Sequence, residues 1–72
     1  MGQFRFVKTT KIKGRWIYQV YAGDQLLGIT REQRTRMWWT VPPDSQGWFT
    51  RNRQIAAKTL FDQLLIAATK GI

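Results

Sequence analysis

Residues 48–71, WFTRNRQIAAKTLFDQLLIAATKG, carry the pattern that decides the fold. Advancing 100° per residue gathers Ala57, Leu60, Phe61, Leu64, Ala67 and Ala68 on one stripe, the pattern of a helix that seats one side on a core. Lys58, Thr59 and Asp62 fall on the outer side, together with Ile55 and Ile66, which the stripe does not absorb. Thr50 offers a hydroxyl to the orphan N–H groups of the first turn and is the expected N-cap. Lys70 suits the C-terminal end of the helix dipole, and Gly71 suits the residue just past it. The spacing predicts a helix over about residues 51–69, roughly 28 Å long at 1.5 Å per residue. Phe61 and Leu64 are its expected large core side chains.

The chain before this helix reads as strands. Residues 3–8, QFRFVK, alternate apolar and polar. Residues 15–22, RWIYQVYA, are rich in the aromatic and β-branched residues that fit a pleated surface. Gly23-Asp24 supplies a tight turn with glycine at its first central position. Residues 25–30, QLLGIT, return as a third strand with Gly28 at a bulge, and residues 37–41, MWWTV, form a fourth that Pro42-Pro43 ends. Residues 9–14, TTKIKG, read as a basic loop, residues 31–36, REQRTR, as a charged connection or strand rim, and Trp48-Phe49 as a brief further pairing. The expected architecture is α+β: a single domain over 1–72 with a small antiparallel sheet of three to five strands packed on one C-terminal helix.

Assigning the more apolar parity of each strand to the helix puts Phe4, Phe6, Trp16, Tyr18, Val20, Leu27, Ile29, Met37 and Trp39 in the core. Arg5, Val7, Arg15, Ile17, Gln19, Tyr21, Leu26, Thr30, Arg36, Trp38 and Thr40 then share the other face. That face mixes donors able to read base edges with aromatics able to stack. Its Ile17, Leu26 and Val7 also make an apolar patch suited to a protein partner or a homodimer.

Composition bounds the function. Twelve Lys and Arg stand against four Asp and Glu, a formal charge of +8 that favours polyanionic partners. No Cys is present for disulfides or thiolates, and no His for general-base or metal chemistry. The acids Asp24, Glu32, Asp44 and Asp62 are scattered and form no dyad, and the isolated glycines spell no phosphate-binding or dinucleotide fingerprint. No enzyme activity and no cofactor or metal are therefore expected. No apolar run is long enough to span a membrane, and MGQFRF has no apolar h-region, so the expected location is cytoplasmic, on the nucleoid if DNA is bound.

Phe49-Thr50-Arg51 leading into a helix with Ala56-Ala57 and Leu60, after Trp- and Tyr-bearing strands, resembles the three-stranded-sheet-plus-helix DNA-binding domains at the N-termini of phage and transposon tyrosine integrases. The resemblance spans Trp16 to Leu65. Gln54-Ile55 departs from it, since an acidic residue commonly precedes the paired alanines. It implies a sheet face in the major groove, with Arg15, Ile17, Gln19, Arg36 and Trp38 toward bases or phosphates.

The expected function is a small basic nucleic-acid-binding module, double-stranded DNA ahead of RNA. Lys8, Lys11, Lys13, Arg15, Arg31, Arg34 and Arg36 neutralise phosphates, while Ile17, Gln19, Tyr21 and Trp38 supply the sheet face. Arg51 and Arg53 sit where the helix dipole favours anions, which makes them candidates too. The alternative is a phage- or mobile-element-type module that acts on a host protein.

Overall fold

The computed structural model describes residues 4–43 and 45–70. Five strands and a helix follow one another: β1 (Phe4–Ile12), β2 (Arg15–Ala22), β3 (Gln25–Arg34), β4 (Met37–Val41), β5 (Trp48–Thr50) and α1 (Arg53–Lys70). The strands form one antiparallel sheet in sequence order, β1-β2-β3-β4-β5. The α+β architecture is therefore as expected, at the upper end of the strand count. Residues 9–12 extend β1 rather than forming a loop, and residues 31–34 extend β3. Gly23 turns at φ 60°, as a glycine in the first central position should. No helix among the described residues is long and apolar enough to cross a membrane.

The helix seats on one face through a short segment. Ala57 and Leu60 are buried against Val20 and Leu27, Ala56 beside them is buried too, and Phe61 meets Phe4 edge-on at 6.0 Å. Paired alanines let the two backbones approach, so small side chains must lie beneath them. Thr30, Thr40 and Thr50 fill that place and are buried. Their hydroxyls satisfy one another across three strands: Thr40 Oγ1 lies 3.0 Å from Thr30 Oγ1 and 3.4 Å from Thr50 Oγ1. Thr50 in turn donates to the Asn52 carbonyl at 3.0 Å. Thr40→Val should therefore cost about 1–3 kcal/mol despite its matching shape, because two buried hydroxyls lose their shared partner. Urea unfolding reads this, with Thr40→Ser as the milder companion. A neutral Thr40→Val would rule the network out as a stabilising element.

This corrects the face assignment for the third and fourth strands. Ile29, Met37 and Trp39 lie on the open face, while Thr30, Trp38 and Thr40 lie on the helix side. The cause is a bulge: Val20 opposes Gly28 and Tyr21 opposes Leu26, leaving Leu27 as an extra residue. Alternation resets there, so Ile29 and Thr30 swap faces, and their partners on β4 follow through the Ile29↔Val41 and Thr30↔Thr40 pairs. Arg36 belongs to neither face; it sits in the β3–β4 turn at φ 62°.

The helix start is corrected too. Asn52 is the N-cap, accepting the Ile55 N–H on its side-chain oxygen at 2.8 Å, and Ala56 N–H donates to the Asn52 carbonyl at 3.0 Å. Thr50 is better used in the threonine network. Thr59 is half-buried rather than outward, since its hydroxyl accepts the Trp48 indole N–H at 2.9 Å. Leu64, Ala67 and Ala68 are exposed, because the helix runs past the edge of the sheet after Phe61. Ile55 and Ile66 point outward as expected. The cap expected at Gly71 lies outside the described residues.

Candidate nucleic-acid interface

Pairing is not equally long along the sheet. β1 and β2 pair out to Ile12↔Arg15, and β3 and β4 out to Arg34↔Met37. Between them, β2 and β3 pair only to Ile17↔Arg31. The sheet therefore forks at one end into two hairpin arms. Their tips are the turns 13–14 and 35–36, and in a sequential antiparallel sheet both fall at the same end. Each tip holds a cation in left-handed backbone, Lys13 at φ 53° and Arg36 at φ 62°. Such positions ordinarily go to Gly, Asn or Asp, and a longer side chain there carries strain.

Topology sorts the charge. Lys8, Lys11, Lys13 and Arg15 lie on one arm, and Arg31, Arg34 and Arg36 on the other. Arg51 and Arg53 follow β5, whose Thr50 opposes Trp38 near the same end. Most of the twelve Lys and Arg therefore crowd the forked half of the molecule. Among the described residues, Asp24 sits in the opposite turn and Asp62 on the exposed helix, leaving Glu32 as the carboxylate beside the cations.

On the helix side of the fork, aromatic rings and cations interleave. In a regular strand Lys8 and Lys11 would point to opposite faces. A second bulge, between Lys8 and Thr10, brings both to Trp16, with Nζ at 5.3 and 5.8 Å from the ring centroid. The Arg53 guanidinium lies 5.1 Å from the Phe6 ring and 5.4 Å from Tyr18, which explains a cation at the helix start: two ring faces hold it. Tyr18 and Trp38 stand 6.0 Å apart. Between the arms opens a cleft of about 350 Å³ lined by Lys13, Gly14, Arg15, Trp16, Tyr18, Glu32 and Trp38. Arg15 reaches Glu32 across it at 3.6 Å.

The open face is different in character. Arg5 covers the Tyr21 ring at 4.7 Å, and the Tyr21 hydroxyl donates to Gln19 Oε1 at 3.2 Å. Ile17, Ile29, Arg31 and Trp39 line a shallow depression, and Trp39 meets Phe49 at 4.9 Å. Among the described residues no element packs on this face.

The structure thus divides the expected site residues. Lys8, Lys11, Lys13, Arg15, Trp38 and Arg53 gather at the cleft. Ile17, Gln19, Tyr21 and Arg31 lie on the open face, and Arg34 and Arg36 at the second arm's tip. Arg51 lines a separate depression with Arg36, Met37 and Phe49. Trp16 and Tyr18, expected in the core, are half-buried cleft walls, because the helix starts too late to cover them. The β-branched Thr9, Thr10 and Ile12 were the available signal for a longer arm. No family model, curated protein or solved structure matches the chain.

Proposed function

We propose that this chain is a small nucleic-acid-binding module whose forked end grips the phosphate backbone, with duplex DNA as its principal target. The segregation of cations at that end carries the reading: a merely solubilising charge has no reason to collect on two adjacent turns and the helix start. Neutralised phosphates release counterions and supply the affinity. A major groove about 12 Å wide admits a two-stranded ribbon, not five strands. The β1–β2 arm, with Lys11, Lys13 and Arg15 at its end, is such a ribbon, and Gln19 and Arg31, on the open face where β2 still pairs with β3, stand behind it at the rim of the groove.

Fluorescence anisotropy with a labelled duplex tests this across salt concentrations. With about six phosphates engaged, log K should fall against log[salt] with a slope near −5. Lys11→Ala with Lys13→Ala should weaken binding on every sequence and flatten the slope by about 2, roughly 1 per lost contact. A flat salt response, or no binding at low salt, would exclude the reading.

The exposed Ile55, Leu64, Leu65 and Ile66 favour a second reading, a protein-binding module. Partners that survive nuclease and high salt in a pull-down would support it.

A further inference from the structure

Glu32 does not fit a site that binds phosphates alone. A carboxylate among so many cations repels a phosphate backbone, and duplex binding gives it no task. Its tie to Arg15 is 3.6 Å long and both side chains are about half exposed, at 45% and 40%, so the pair holds loosely. Glu32 stands on β3 directly opposite Trp38, between the strands that carry Trp16 and Trp38, and all three line the cleft with Tyr18. Flat ring faces, flanking cations and a lone carboxylate are together the chemistry that recognises a nucleobase.

Resting on the nucleic-acid reading above, we infer that the cleft between the arms takes one unpaired base of a single strand and prefers guanine. Stacking on Tyr18, Trp16 or Trp38 needs an exposed base face, which a duplex hides. Lys8 and Lys11 beside Trp16, and Arg53 beside Tyr18, stand where the phosphates flanking that base would run. The carboxylate decides the base. Guanine offers two adjacent N–H donors on its pairing edge, from N1 and from the 2-amino group, which one carboxylate accepts together. Adenine and cytosine offer a single amine, and thymine and uracil a single ring N–H. Arg15, released from Glu32, becomes a donor for phosphate.

The test uses the full chain and three labelled probes: an oligothymidylate, the same strand with one central guanine, and a duplex of equal length. The guanine probe should bind about tenfold tighter than oligothymidylate and quench tryptophan emission. Glu32→Gln should abolish that preference while tightening oligothymidylate and duplex binding alike, because it removes the paired acceptor and a repelling charge, frees Arg15, and leaves the rings in place. Trp38→Ala should weaken both single strands by about tenfold or more and spare the duplex. Ribose versions of the single strands distinguish RNA from DNA as the source. Equal affinity for the two strands, or a preference that survives Glu32→Gln, overturns the inference. If the duplex still binds with its salt slope, only the cleft assignment falls; if no probe binds at low salt, the nucleic-acid reading falls with it.

Discussion

Leu60→Ala should remove about 3–5 kcal/mol of stability, most of what a domain of this size holds. Leu60 is 1% exposed and is the largest fully buried side chain among the described residues. Among the described residues the buried apolar set is Val20, Leu27, Ala56, Ala57 and Leu60. Two of these are alanines, too short to fill the vacated space, and the larger Phe4, Phe61 and Trp48 lie at the border of the cluster rather than within it. The sheet beneath is pinned by the threonine hydroxyls and cannot sag toward the helix without breaking them. Urea unfolding should show a lower midpoint with an unchanged slope, or no folded baseline at all. The informative companion is Leu64→Ala, one turn further on. Leu64 is 37% exposed, and its loss should cost less than about 1 kcal/mol. Equal costs at the two positions would mean that the helix seats along its whole length.

Gly28→Ala should be nearly as damaging, at about 3 kcal/mol or more, from one added methyl. Gly28 sits in the β3 bulge at φ 155°. A Cβ built there lies 2.4 Å from the Val41 carbonyl oxygen, 2.9 Å from Leu60 Cδ2 and 3.1 Å from Pro42 Cα. The leucine could rotate, but the carbonyl and the proline are backbone, fixed beside the Ile29↔Val41 pair. Backbone strain and forced overpacking each cost about 1–3 kcal/mol, and here they add. At about 4–8 °C per kcal/mol for a domain of this size, the melting temperature should drop by more than about 12 °C. Gly23 provides the contrast. Nothing lies within 4 Å of a Cβ there, and its φ of 60° suits asparagine, so Gly23→Asn should melt close to the parent. A small shift for Gly28→Ala would contradict the bulge.

Local rules carried the sequence reading as far as they reach. The helix, the glycine turn and the faces of β1 and β2 follow from periodicity and turn chemistry, which act over a few residues. Ile29, Thr30, Trp38 and Trp39 defeat that reading, because one extra residue at Leu27 swaps the faces of the β3 positions after it, and β4 follows its β3 partners. Deciding which face Thr30 takes requires knowing that Thr40 and Thr50 stand beside it to share hydroxyls. The helix stripe overreached for a related reason. Leu64, Ala67 and Ala68 have the right spacing for a core, but the sheet ends before they arrive. At the candidate site, the cations were visible as residues. Their crowding depends on strand order, and the cleft depends on where β2 and β3 stop pairing. Trp16 and Tyr18 looked like core because aromatic strand residues usually are; here the fork leaves them half open.

The sequential strand order has a kinetic consequence. Each strand neighbours only those next to it in the chain, and turns of two residues join the first four. Loop closure is therefore cheap in entropy, and single hairpins form in about 1–10 μs. The contacts that span long stretches of chain are those of the helix landing on the sheet, on β2 and β3 and, through Phe61 and Phe4, on β1. That landing should form the rate-limiting barrier, so mutations at Ala57 or Leu60 should slow refolding. Changes at the arm tips, already closed by then, should leave the refolding rate nearly unaltered.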